Sequence, residues 1–116
     1  MRALEGEQVM VRIFFGESDK WHHRPLETAL LERLRAEGFA GATVFRAVAG
    51  FGANSVIHTS HLLELSTDLP VVIEVVDTAE QIEKLTPILD EMLEDGLVTM
   101  EKVRVLRYRA GSRVLR

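Results

Sequence analysis

Several groups of side chains in this sequence have the types and spacing that chemistry requires. Gly50-Phe51-Gly52 places two glycines directly after an apolar run. Such a pair lets the backbone take positive φ or turn N–H groups toward an anion. It is not a dinucleotide fingerprint, because position 55 is serine and no clear helix starts there. It is not a P-loop, because no Gly-Lys-Ser/Thr follows. The competing reading is a flexible hairpin tip. His22-His23 and His58-x-x-His61 invite a metal reading. Neutral imidazoles suit zinc or nickel, with Glu17, Asp19 or Glu64 as a third ligand; the competing reading is solvated loop histidines. Glu17 and Asp19 in the run Gly16-Glu17-Ser18-Asp19 could form a general acid–base pair, or could be a turn whose side chains bond nearby backbone. Lys102, Arg104, Arg107 and Arg109 are phosphate-binding types. On a strand, Lys102 and Arg104 share one face and Arg107 and Arg109 the other. Their competing reading is a charged edge strand that resists aggregation.

These groups must be positioned by elements that the hydrophobic pattern makes legible. Residues 8–15, QVMVRIFF, alternate with Val9, Val11, Ile13 and Phe15 on one face, and the other face is half apolar. Residues 16–24 read as a polar connection. Pro25 suits the first position of a helix, followed by Leu26, Ala29, Leu30 and Leu34 at helical spacing and by Gly38 as a C-terminal cap. Residues 41–49 read as a second strand and 50–55 as a flexible loop, while 56–66 stay ambiguous. Residues 68–77 form a third strand with β-branched residues on both faces. Thr78 to Gln81 match a capping box, and Ile82, Leu85, Ile88, Leu89 and Met92 form a helical stripe that Pro87 should bend. Gly96 reads as the second C-terminal cap, and residues 99–109 as a fourth strand.

The order is therefore βαββαβ, with LRAEGF before the second strand echoing LEDGL before the fourth. Two right-handed βαβ units make an α+β, ferredoxin-like domain with a four-stranded antiparallel sheet and two helices on one face. It spans residues 8–109, with 1–7 and 110–116 as terminal arms. Two helices cover only one sheet face, yet the first and third strands are apolar on both. An exposed apolar face of that size is an interaction surface, so a homo-oligomer is expected.

Composition narrows the function. The 116 residues are 47% hydrophobic and 28% charged, as expected for one folded domain. A formal net charge of -4 argues against broad nucleic-acid binding. The absence of cysteine excludes disulfides, thiolate catalysis and cysteine metal sites. No apolar stretch approaches the roughly 18 residues of a membrane span, and MRALEGEQ lacks the apolar core of a signal peptide. The expected location is cytoplasmic, without membrane insertion.

The run GATVFRAVAGFG, residues 41–52, resembles the second strand and long-loop start of PII signal-transduction proteins. DLP followed by VVIEVVDTAEQIEKL is similar to their third strand and second helix. GES-D, GATV, GFG and DLP together more closely resemble an uncharacterised PII-like branch of unknown function. The likeness covers residues 8–109. It implies a homotrimer with adenine-nucleotide sites in the clefts between subunits and no enzymatic activity. By resemblance, Gly41, Ala42 and Thr43 hold the adenine, Gly50, Phe51 and Gly52 lie near the phosphates, and Lys102 opens the last strand. The sequence departs from PII proteins in its wider spacing from Thr43 to Gly50, in Ala53-Asn54 where a glutamine follows GFG, and in GLVTMEK where a glycine-rich loop precedes the last strand. The last departure favours AMP or ADP over ATP. The single tyrosine, Tyr108, falls on the last strand, so control by nucleotidylation of a loop tyrosine does not carry over. The expected protein is a sensor that signals to a partner through residues 50–66. Relatives encoded near fluoride channels point to a membrane transporter or channel as that partner, with another protein as the alternative. The alternatives are a metal-responsive regulator using His58 and His61, and a small ferredoxin-like enzyme using Glu17 and Asp19.

Overall fold

The computed structural model describes residues 4–52 and 68–109. The elements are β1 (Gly6–Gly16), β2 (Lys20–Trp21), β3 (Arg24–Pro25), α1 (Leu26–Ala36), β4 (Thr43–Arg46), β5 (Pro70–Asp77), α2 (Ala79–Ile82), α3 (Leu85–Met92) and β6 (Leu97–Val105). The main sheet has four strands in the order β4-β5-β1-β6, antiparallel throughout. This is the split βαβ, ferredoxin-like arrangement expected from the sequence.

Alternation in the two central strands decides which face is covered. Val11, Ile13 and Phe15 of β1 and Val71, Ile73 and Val75 of β5 are buried. They pack with Leu26, Ala29, Leu30 and Leu34 of α1 and with Ile82, Leu85, Ile88 and Met92 of α2 and α3. Both helical layers therefore lie on one side. Cross-strand partners share a face, so the opposite side carries Met10, Phe14, Val72, Val76, Phe45 and Leu97. No described helix packs there, and Phe45 and Leu97 are more than half exposed. In its middle Arg12 Nε sits 3.0 Å from Glu74 Oε2, with Glu101 Oε1 at 3.9 Å from Arg12 Nη1.

Local chemistry sets the element ends. Helix α1 closes through Gly38 at φ 85°, with Gly38 N–H donating to the Arg35 carbonyl and Phe39 N–H to the Leu34 carbonyl. That is the pattern in which a left-handed glycine lets two orphan carbonyls be satisfied. Pro70 is the first residue of β5, where its missing N–H interrupts no ladder, and its carbonyl accepts from Ala47 N–H.

Several boundaries differ from the sequence expectation. Strand β1 begins at Gly6, paired with Val105, and Leu4 is buried, so the described part of the supposed arm belongs to the fold. The polar connection contains a tight hairpin: His22 and His23 sit at φ 49° and 67° between β2 and β3. Two left-handed central residues are what a type I′ turn requires. Trp21 stacks on His22 at 3.9 Å and receives the Arg33 guanidinium on its ring. The second helix is interrupted at residues 83 and 84, which keep right-handed helical dihedrals. Pro87 lacks the N–H that would bond four residues back, and residues 83 and 84 separate α2 from α3. Only half of the capping box forms: Thr78 accepts from Gln81 N–H, while the Gln81 amide reaches the Glu37 carbonyl instead. Gly96 is no helix cap, since α3 ends at Met92. A Cβ there would lie 2.6 Å from the Phe14 carbonyl, so Gly96 permits a close approach of the chain to β1. Strand β6 stops at Val105, which removes Arg107 and Arg109 from the sheet.

Leu30 is fully buried at the centre of the helix–sheet contact. Leu30→Ala should cost about 2–5 kcal/mol in a denaturant titration. Val48→Ala, at a position 98% exposed, should cost less than about 0.5 kcal/mol.

Candidate functional site

Residues 41–43 lie where the chain leaves α1 and enters β4. Gly41 and Ala42 precede the strand, which is shorter than the expected 41–49. Glycine and alanine contribute little side-chain packing to an edge, so pairing starts only at Thr43, opposite Glu74. Thr43 is exposed, and its register with Glu74 puts it on the uncovered face. A methyl group at Gly41 would meet nothing within 4 Å. Nothing described in the folded chain requires that residue to be so small.

The glycine turn follows on the same edge. Gly50 has φ 147°, and a Cβ there would sit 3.2 Å from Pro70 Cγ, so both backbone and space favour glycine. Phe51 is 64% exposed and Gly52 is exposed. The 41–43 and 50–52 segments thus flank β4 from its two ends.

Lys102 lies elsewhere. It pairs with Val9 on β6, the opposite edge of the sheet, and shares the helix-side face with Arg104, which pairs with Glu7. Gly6, Glu7, Lys102, Val103 and Arg104 line an open hollow of about 500 Å³. Three strand spacings separate β6 from β4, about 14 Å. Within one chain the structure brings the two glycine-bearing segments to one edge and leaves Lys102 at the other.

The acidic turn has a local structural use. Gly16 N–H donates to Asp19 Oδ2 at 3.2 Å, Ser18 N–H donates to Asp68 Oδ1 at 3.0 Å, and Glu17 N–H donates to the Leu69 carbonyl. Glu17 also faces Arg46 at 3.9 Å, while Arg46 forks onto Glu27 of α1. Burial pushes the Asp19 carboxyl above its ordinary value; the Gly16 N–H opposes this, and the charges of Asp68 and Asp95 add to it. Among the described residues no group of three or more histidines and carboxylates converges as a metal site. His58 and His61 lie outside the described residues, as does most of the 50–66 loop.

Two residues to which the sequence assigned no such role hold the turn before Gly41, one of them Tyr108, which lies past the end of β6 and not on it as expected. Ala40 N–H donates to Asp77 Oδ2 at 2.8 Å, and the Ala40 carbonyl accepts from the Tyr108 hydroxyl at 3.0 Å. Asp77 was visible only as the last residue of an apolar strand, a carboxylate in register with the buried face. Tyr108 gave no signal, because its partner is 68 residues away in the chain.

Residues 8–105 match the model of DUF190, described as Uncharacterized ACR. The chain belongs to the DUF190 family. A UPF0166 protein of Aquifex aeolicus (strain VF5) is 39% identical over 99 residues, covering 84% of the chain and 91% of the relative. A UPF0166 protein of Methanocaldococcus jannaschii is 31% identical with the same two coverages. Among solved structures, CPII from Thiomonas intermedia K12, a nitrogen regulatory PII-like protein, matches with a TM-score of 0.61 when bound to ADP, AMP and acetate. That match covers 90% of this chain and 92% of CPII at 16% identity, and at this distance it speaks for the fold. The DUF190 chain thus has the PII-like fold that its motifs resemble. No described helix is long and apolar enough to cross a membrane.

The raised Asp19 carboxyl has a definite sign. A native carboxyl that holds its proton more tightly than the unfolded chain does loses stability as pH rises through the raised native value. Asp19→Asn should therefore unfold at an equal or higher temperature than wild type at pH 7. The difference should close as pH falls to the ordinary carboxylate range, a trend that thermal melts across pH 3.5 to 7 check.

Proposed function

We propose that the DUF190 chain is a non-enzymatic, cytoplasmic PII-like regulator. It binds an adenine nucleotide, AMP or ADP in preference to ATP, in clefts between the copies of a homotrimer. It then signals to a partner protein, a membrane transporter or channel or another protein, through residues 50–66. The observation that carries this reading is the division of the candidate site. Gly41, Ala42, Thr43, Gly50, Phe51 and Gly52 stand at the β4 edge, and Lys102 stands at the β6 edge. A base-binding stretch and a phosphate-binding cation so separated work together only when one copy supplies each.

The uncovered sheet face supports the assembly. Met10, Phe14, Val72, Val76, Phe45 and Leu97 are an apolar surface that a second and third copy would bury. Open space at Gly41 supports a flat ligand at the start of β4. The ADP and AMP held by CPII support the ligand class. The sequence before β6 lacks a glycine-rich phosphate loop, which supports the smaller nucleotides. The exposed side chains of Val48 and Phe51 beside the loop support a protein partner there.

Calorimetry with AMP, ADP, ATP and adenosine tests the ligand. Wild type should bind AMP and ADP more tightly than ATP. Lys102→Ala should weaken ADP roughly ten- to hundredfold and leave adenosine nearly unchanged, the usual loss for one charge-assisted contact. Gly52→Val meets no described neighbour that would disturb the fold, yet should block the phosphate region. Equal affinities across the three proteins would overturn the site, and no binding to wild type would overturn the nucleotide reading. The assembly is checked by light scattering: a trimer for wild type, and a smaller species for Phe14→Asp, which places a carboxylate on the apolar face.

A further inference from the structure

The turn that delivers residues 41–43 is held from both sides by groups distant in sequence. Asp77 is fully buried at the end of β5. One of its oxygens accepts from Ala40 N–H at 2.8 Å and the other from Thr78 N–H at 2.7 Å. A buried carboxylate bound by two backbone donors is a rigid post. Tyr108 arrives from the other side. It lies three residues past the end of β6, at the far edge of the sheet, and its hydroxyl donates to the Ala40 carbonyl at 3.0 Å. The peptide groups on the two sides of Ala40 are thus both engaged, immediately before the glycine that leaves space for a ligand.

The two grips differ in strength. Asp77 makes charge-assisted bonds in a buried position and is part of the fold's end-stop. The Tyr108 contact is a single neutral hydrogen bond, half-buried, made by a residue outside any strand or helix. Its partner, Ala40, is 68 residues away in the chain. A bond of that kind fixes an angle more than it holds a domain together.

We infer that Tyr108 is a positioning residue for the ligand: gripping Ala40 against Asp77, it sets how residues 41–43 present themselves to a base. The inference rests on the nucleotide reading above and assigns that site a residue to which the sequence resemblance gave no role. Tyr108 acts on the base end of the ligand, Lys102 on the phosphate end. The two substitutions therefore have different signatures. Loss of the hydroxyl weakens adenosine and ADP by the same factor, and loss of the Lys102 charge weakens ADP alone.

The chain has one tyrosine, so protein carrying tyrosine labelled at the ring Cζ alone gives a single resonance that belongs to Tyr108. In the full-length wild type, titration with adenosine should move that resonance and saturate with the calorimetric isotherm. Tyr108→Phe should keep the wild-type assembly by light scattering and bind both adenosine and ADP about three- to tenfold more weakly, the range for one neutral hydrogen bond. Amide exchange in this variant should quicken at residues 40–43 and not in β1 or β5. A resonance unmoved at saturating adenosine, or Tyr108→Phe binding both ligands as wild type does, overturns the positioning role alone. Failure of wild type to bind either ligand overturns the nucleotide reading and the positioning role with it. The resonance measurement needs no variant, so it stands even where Tyr108→Phe folds poorly.

Discussion

Strands β1 and β5 are apolar on both faces, and the chain supplies helices for one. The rest of the architecture answers to that mismatch. Inward, Val11, Ile13, Val71, Ile73 and Val75 set the register that α1 and the split α2–α3 layer must cover. Outward, Phe14, Val72 and Val76 form the middle of a second apolar surface, extended to Phe45 on one edge strand and Leu97 on the other. Taking such a side chain fully out of water stabilises by about 1.5–3 kcal/mol, and by less for Phe14, Val72 and Val76, which are already half-buried. The ion pair of Arg12 and Glu74 in that surface would be desolvated on association. A pair removed from water gains little net stability but penalises any arrangement that leaves one charge alone, which favours a defined docking geometry.

Strand order explains why the candidate site residues are divided. In this topology the two edge strands, β4 and β6, never meet within one chain. The small residues at 41–43 and the glycines at 50 and 52 offer shape without charge, whereas Lys102 and Arg104 offer charge on an open strand. Each half is weak alone. Backbone donors and space accept a flat base or an anion only loosely, and an exposed lysine holds a phosphate only loosely.

Residues that looked catalytic or metal-binding in sequence have structural uses where the structure describes them. Asp19 and Asp68 cap the turn after β1, and Glu17 continues its ladder. His22 and His23 form the corner of a two-residue hairpin, held by Trp21 and, through Arg33, by Glu91 of α3 at 2.7 Å. Polar side chains close to a strand end satisfy nearby backbone first, and that demand accounts for this part of the surface.

The pattern of the sequence alone determined the main order of elements, the ferredoxin-like class and the alternating faces of the first strand. Side-chain alternation and helical spacing are local, and each was read from a few consecutive residues such as VMVRIFF or LETALLERL. The C-terminal cap at Gly38 was legible for the same reason. The effect of Pro87 was legible as a bend but not as an interruption at residues 83 and 84, because the depth of a proline kink depends on what packs around it. The candidate site residues rested on likeness to PII proteins, and the sequence could name them without saying how far apart they lie. Only the tertiary structure decided that Lys102 and residues 41–43 occupy opposite edges, that Leu4 and Gly6 belong to the fold, and that Asp77 and Tyr108 grip Ala40. Strand order and hydrogen bonds across 37 and 68 residues come from the closing of the sheet, which no short stretch of sequence contains.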